Sequence, residues 1–165
     1  MPNLYLIRHG IAADRGTYAN DDDRPLTAEG DRKTRQVAAR LKTLKLRFDR
    51  ILSSPLVRAR QTAEILQSGG LSSRWEIFPA LAPDGDLREW IDWYGNLDKS
   101  AGGDLALVGH QPDLGDWAES LIWGEARDVL VVKKAGVIGL ALPDTGPPLG
   151  NAQLFWLTPP KFLLG

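Results

Sequence analysis

The sequence predicts an α/β fold, a three-layer α/β/α sandwich with a mainly parallel central sheet and antiparallel C-terminal strands. Two observations predict it. Short apolar runs alternate with stretches of helical period from residue 4 to about residue 121, the pattern of a parallel sheet with helices on both faces. Beyond that point three apolar segments follow one another, joined by Gly/Pro turns, which adds antiparallel members to the sheet.

Leu4–Ile7 reads as a buried strand ending at Arg8-His9-Gly10. Residues 11–25 are polar and Asp-rich, hence a loop. Thr27 caps a helix running to about Leu46, with Val37, Leu41 and Leu44 forming one apolar face. Arg50–Ser53 is a short strand. Ser54-Pro55 has the chemistry of a helix start, and Gly69-Gly70 ends that helix. Trp75–Phe78 is a third strand, and Asp86 caps a helix carrying Leu87, Trp90, Ile91 and Tyr94. Leu105–Val108 is a fourth strand, closing on Gly109-His110. Pro112 and Asp113 open a helix through Leu121. Val129–Val132, Val137–Leu142 and Gln153–Leu157 are the closing strands.

The length suits a single domain over residues 1–165, burying roughly 70% of the unfolded chain's surface. The chain has no cysteine, which excludes disulfide scaffolds and thiol chemistry. Its 20 Lys and Arg nearly balance 21 Asp and Glu, so overall charge gives no sign of a nucleic-acid partner. The N-terminal apolar run is too short for a secretory signal, and no apolar stretch approaches a membrane span. A cytoplasmic protein with no membrane partner is expected.

Only two histidines are present, His9 and His110. Each lies just past the end of a predicted buried strand, the edge where open α/β sheets bind ligands. Each has a glycine beside it, Gly10 and Gly109, which permits close approach of backbone or ligand. One such histidine is most often a structural hydrogen-bonding group; two in matching positions point to a shared site. Arg8 ends an apolar strand, where a guanidinium is costly unless an anion meets it. Arg58 lies in the first turn of its helix, where the helix dipole disfavours a cation and favours an anion. Guanidinium forks match phosphate oxygens, and such a positive cluster repels a divalent metal. The expected guest is a phosphoryl group, with neither metal nor cofactor.

These residues lie in strings that resemble a known family. Leu6-Ile7-Arg8-His9-Gly10, Arg24-Pro25-Leu26-Thr27-x-x-Gly30, Ser53-Ser54-Pro55-x-x-Arg58-Ala59-x-Gln61-Thr62-Ala63 and Val108-Gly109-His110-x-Pro112 resemble, in order, the motifs of the histidine phosphatase superfamily, of phosphoglycerate-mutase-like fold. The short chain, the Pro83-x-Gly85-Asp86 loop and Lys133-Lys134-Ala135-Gly136 are similar to its SixA-type phosphohistidine phosphatases. The resemblance implies that His9 is the nucleophile and forms a phosphohistidine that water hydrolyses. It implies that Arg8, Arg58 and His110 bind the phosphoryl oxygens, His110 as a protonated or at least donating imidazole. Arg24 then orients the site or anchors its loop, with Gly10, Gly109 and Asp86 in support. The implied substrate is phosphohistidine on a signalling or phosphotransfer protein. A phosphatase of small phosphomonoesters and a phosphate-recognition module without turnover are the rivals.

One departure bears on the leaving group. Many relatives carry a Glu after the third strand as general acid; here Ala80 stands at about that place. Asp21, three residues before Arg24, is the best-placed substitute, with Asp84 and Asp86 behind it. A phosphohistidine leaving group needs less help, because its ring nitrogen can be protonated before the P–N bond breaks. Residues 31–60 also hold ten Lys and Arg against Asp31 and Asp49, a local +8. That segment is either a solvated helix face or a docking surface for an acidic phosphoprotein. The six tryptophans are expected to pack, with Trp93 and Trp123 as candidate contacts.

Overall fold

The computed structural model describes residues 1–100 and 102–165. Its strands are β1 (Asn3–Arg8), β2 (Phe48–Ser53), β3 (Trp75–Ile77), β4 (Asp104–Gly109), β5 (Val137–Ala141) and β6 (Gln153–Thr158). Its helices are α1 (Ala28–Thr43), α2 (Val57–Ser68), α3 (Leu87–Gly95), α4 (Asp113–Trp123) and α5 (Pro160–Leu164). One sheet runs in the order β3-β2-β4-β1-β5-β6. The first four strands are mutually parallel, β5 is antiparallel to β1, and β6 is antiparallel to β5.

Strand alternation builds the three layers. Leu4 and Leu6 pack with Leu105, Leu107 and the inner faces of α3 and α4. Tyr5 and Ile7 point the other way, into Val37, Leu41, Ala59, Leu66 and Leu163 of α1, α2 and α5. The path from β1 through β2 to β3 steps toward one edge of the sheet; β4 then returns to the slot between β2 and β1. Right-handed crossovers put the helices of the outward path on one face and those of the return on the other. That reversal leaves a crevice at the C-terminal ends of β1 and β4. Among the described residues, no helix is long and apolar enough to cross a membrane.

Several expectations need correction. The predicted strand Val129–Val132 is absent. The fully buried Glu119 accepts hydrogen bonds from the backbone N–H groups of Arg127, Asp128, Val129 and Leu130, removing the donors that a strand would use. Ser54 is not the cap of α2: that position is Leu56, and Ser54 Oγ accepts the Leu56 N–H within the preceding turn. The first long helix stops at Thr43 because Lys45 takes a left-handed conformation (φ 67°). Phe48 and Asp49 join β2, where Phe48 pairs with Asp104. Helix α5 was not foreseen; it is short and has Pro160 at its start, as proline prefers.

Glu119 supplies a stability test. Burial pushes its pKa up, but four backbone donors, led by Leu130, outweigh this and hold it below the usual glutamate range. A depressed folded pKa contributes stability that is present above the unfolded value and is lost as pH falls through the folded one. Glu119→Ala leaves four backbone donors without their acceptor and is expected to cost about 3–5 kcal/mol in urea denaturation at neutral pH. The loss should shrink toward acid pH.

Candidate active site

The parallel pairing of β1 with β4 brings the two histidines together. Arg8 is in register with Gly109, and the His9 N–H donates to the Gly109 carbonyl at 3.1 Å. The imidazole centroids lie 5.1 Å apart with their planes tilted by 55°. Both rings are buried. Gly10 is required by packing: a Cβ there would collide with Thr34 Oγ1, and one on Gly30 would collide with the Ile11 carbonyl. The chain after β1 thus nests against the first turns of α1, which Thr27 caps by accepting the Gly30 N–H at 2.9 Å. At Gly109, a Cβ would press on Leu114 Cδ2 at 3.2 Å.

His9 Nδ1 lies 2.7 Å from the Gly10 carbonyl oxygen, which can only accept. Nδ1 therefore carries the proton and Nε2 holds the lone pair. Burial is the main cause that lowers the His9 pKa to about 3; the Gly10 bond opposes it, while His110, Arg58 and Arg8 push the same way. The ring is neutral and nucleophilic at physiological pH. His110 is likewise lowered to about 3, first by burial and then by Arg58 and Arg8. It is held as a neutral imidazole, a form that still carries one N–H donor. Its Nε2 meets Ser54 Oγ at 2.8 Å.

Arg58 is buried at the start of α2 and donates to the Asp21 carbonyl oxygen at 2.9 Å and to Asp21 Oδ2 at 3.2 Å. Arg24, also buried, donates from Nε to Asp21 Oδ1 at 2.7 Å and from Nη1 to the Ala13 carbonyl. Arg8 donates to the Val132 carbonyl at 3.2 Å. Burial lowers the pKa of both Arg8 and Arg58, but a guanidinium stays charged. Of these three guanidinia, Arg24 and Arg58 share the Asp21 carboxylate, and Arg8 donates to a backbone carbonyl. Arg8 Nε, Arg58 Nε and His110 Nδ1 are buried without a hydrogen-bond partner. Three orphaned nitrogens at one crevice are what an oxyanion would satisfy.

Asp21 lies between two of these arginines. The Arg24 hydrogen bond is the main cause that holds its carboxyl below the usual aspartate range, and Arg58 acts in the same sense. Its place is that of a bridge fixing Arg24 and Arg58. Asp21→Asn is therefore expected to lower kcat by about tenfold through loosened arginines, while the high-pH limb of the rate profile stays in place. Loss of that limb would restore the acid role, because a general acid works only below its own pKa. Asp86 caps α3, accepting the Arg88 N–H at 2.9 Å, and its carboxylate pairs with the Arg88 guanidinium. These contacts commit it to the helix start rather than to the histidines. Ala80 is buried in a short turn after β3.

Sequence reasoning assigned no site role to Ser54, Gln61 and Thr62. Thr62 Oγ1 accepts the Gly10 N–H at 3.1 Å and donates to the Arg58 carbonyl, joining the loop after His9 to α2. Gln61 Oε1 accepts the Leu26 N–H at 2.7 Å and anchors the loop that carries Arg24. The available signal was polar residues adjoining Arg58 on a helix that otherwise buries alanine and leucine.

Within the basic segment 31–60, helix α1 carries its cations from Arg32 to Lys42, about 15 Å along its axis, and several of the segment's cations are paired: Lys33 with Glu29, Arg35 with Asp31, and Arg50 with Glu76. Arg58 belongs to the crevice. Trp90 and Trp117 are buried, and Trp123 is exposed with Arg127 over its ring.

The family model of the histidine phosphatase superfamily (branch 1) matches residues 4–110, from β1 to His110. This chain belongs to that superfamily. Phosphohistidine phosphatase SixA of Escherichia coli is 30% identical over 152 residues, spanning 92% of each chain. An uncharacterized protein of Picosynechococcus is 49% identical over 165 residues, 98% of each. A structure of the protein histidine phosphatase SixA complexed with tungstate superposes with a TM-score of 0.83 at 29% identity, covering 98% of this chain and 99% of that one. A phosphoglycerate mutase from Bacillus anthracis shares the fold, with a TM-score of 0.74 at 16% identity over 98% of this chain and 95% of that one. Membership of the histidine phosphatase superfamily and similarity to SixA support phosphatase activity.

Proposed function

We propose that this chain is a metal-independent phosphatase that removes the phosphoryl group from phosphohistidine on a signalling or phosphotransfer protein in the cytoplasm, through a phosphohistidine intermediate on His9. The observation that carries the reading is the neutral His9 ring, its Nδ1 tied to the Gly10 carbonyl, set beside His110 and among Arg8 and Arg58. The guanidinium-rich surroundings favour an anion and oppose a divalent cation.

In the first step His9 Nε2 attacks phosphorus as the bond to the leaving group breaks. Arg8, Arg58 and His110 hold the phosphoryl oxygens throughout the transfer. In the second step water attacks the phosphohistidine, phosphate leaves, and the His9 ring is restored. A phosphohistidine substrate whose second ring nitrogen is protonated departs as a neutral imidazole, so its departure asks for no general acid. This fits Ala80 at the place where relatives carry Glu and the bridging role of Asp21. Similarity to SixA, named as a phosphohistidine phosphatase, supports the same substrate class.

The test is parallel turnover of a histidine-phosphorylated phosphotransfer domain and a panel of sugar phosphates. The reading expects kcat/KM to favour the phosphoprotein by about 100-fold or more. Preference for a sugar phosphate would replace it with the small-phosphomonoester reading. No phosphate release from either class would favour a recognition module.

A further inference from the structure

The chain between α4 and β5 forms no strand, yet it is fixed along its length. Glu119 holds the N–H groups of residues 127–130. Gln111 Nε2 donates to the Leu130 carbonyl at 3.3 Å, and Arg8 donates to the Val132 carbonyl. The Ala135 N–H donates to the carbonyls of both Arg8 and His9 at 3.1 Å. Ala135 adopts φ 61°, a left-handed conformation that non-glycine residues disfavour, and a turn bond from the Gly136 N–H to the Lys133 carbonyl at 2.7 Å helps hold it. The segment is thus bolted to the main chain of the two residues that open the candidate site.

Its outward face is unusual for a loop. Val129 is 63% exposed and Val131 is 55% exposed, whereas Val132 is buried. Lys133 and Lys134 follow, both exposed, with no carboxylate in ion-pair range among the described residues. Together with Arg8 and Lys33 they line a cavity of about 310 Å³, walled in part by Ile11, Ala135 and Pro160. Lys33 also pairs with Glu29 at 3.1 Å.

We propose that this strip docks the phosphoprotein substrate. An apolar side chain of the partner rests on Val129 and Val131, and a carboxylate close to its phosphohistidine enters the cavity beside Lys133 and Lys134. The proposal rests on the reading of the substrate as a protein. Charge complementarity selects an acidic partner, and lysines are flexible point charges that accept carboxylates at variable positions. Size selects a protein: the exposed valines and the lysines are separate parts of one surface, and a folded partner covers both while its phosphoryl group lies beside Arg8. The strip also moves docking off most of segment 31–60, since only Lys33 of its cations lines this cavity.

The test is the Lys133→Glu, Lys134→Glu double variant, assayed with a histidine-phosphorylated acidic phosphotransfer domain and with para-nitrophenyl phosphate. The expected result is a fall of about tenfold or more in kcat/KM for the phosphoprotein, a change within about twofold for the small ester, and a flatter salt dependence with the phosphoprotein. Activity on the small ester shows that the variant is folded. Equal effects on both substrates, or none on either, would overturn the docking strip while leaving the substrate reading intact. Wild-type enzyme that hydrolyses the small ester but not the phosphoprotein would instead overturn the substrate reading, and the strip with it.

Discussion

His9→Ala is expected to lower phosphatase turnover by about 10⁴-fold or more, the scale of losing a nucleophile rather than a binding contact. In the proposed mechanism the substitution removes the atom that forms the bond to phosphorus. The His110 ring lies 5.1 Å away, with Nε2 engaged by Ser54 and Nδ1 buried without a hydrogen-bond partner. The pH profile of the wild-type enzyme carries a related expectation. A protonated imidazole has no lone pair to offer, so the rate contribution of His9 falls only as pH drops through its own pKa. Burial places that pKa at about 3, well under the usual histidine value. The acid limb of kcat/KM assigned to His9 should therefore lie near 3, once the ionisation of the substrate phosphate is separated from it. A limb near 6.5 that vanished in a His110 variant would transfer the controlling titration to His110.

Arg58→Ala is expected to cost about 10²–10³-fold in kcat/KM. Its guanidinium is fixed from one side by the Asp21 carbonyl and carboxylate, which leaves Nε without a protein partner. That geometry presents a charged donor at no cost of reorganisation when an oxyanion arrives. Arg58→Lys should recover little, because an ammonium cannot hold Asp21 through two donors and still face the phosphoryl group. Steady-state kinetics on both substrate classes check this, and a loss of tenfold or less would place Arg58 in the scaffold.

The layers and the site edge were legible in the sequence for physical reasons. Strands β1 and β4 are each built on an uninterrupted apolar run, and each histidine directly follows the end of its strand, so the ends of β1 and β4 are legible without their pairing. Arg8 and Arg58 stood out because each is a charge in a position that disfavours it. Legibility failed where distant groups compete for the backbone. Val129–Val132 has the composition of a strand, but Glu119 claims its donors from a different element. The Asp21 carboxylate bridges Arg24 and Arg58, a contact that depends on an arginine 37 positions away. The basic segment is continuous in one dimension, but Lys33, Arg35 and Arg50 each meet a carboxylate in three. Sequence spacing reports which residues share an element and says little about which carboxylate each cation will find.

The central claim is that the phosphoryl group passes through His9, and rapid-quench labelling tests it most directly. Enzyme is mixed with a ³²P-labelled histidine-phosphorylated domain, quenched in alkali within milliseconds, and the label is mapped by peptide. The expected result is an acid-labile, alkali-stable phosphate on the peptide holding His9, formed before free phosphate and absent from His9→Ala. Label on His110, or phosphate release with no labelled enzyme at any quench time in a single-turnover experiment, would contradict it.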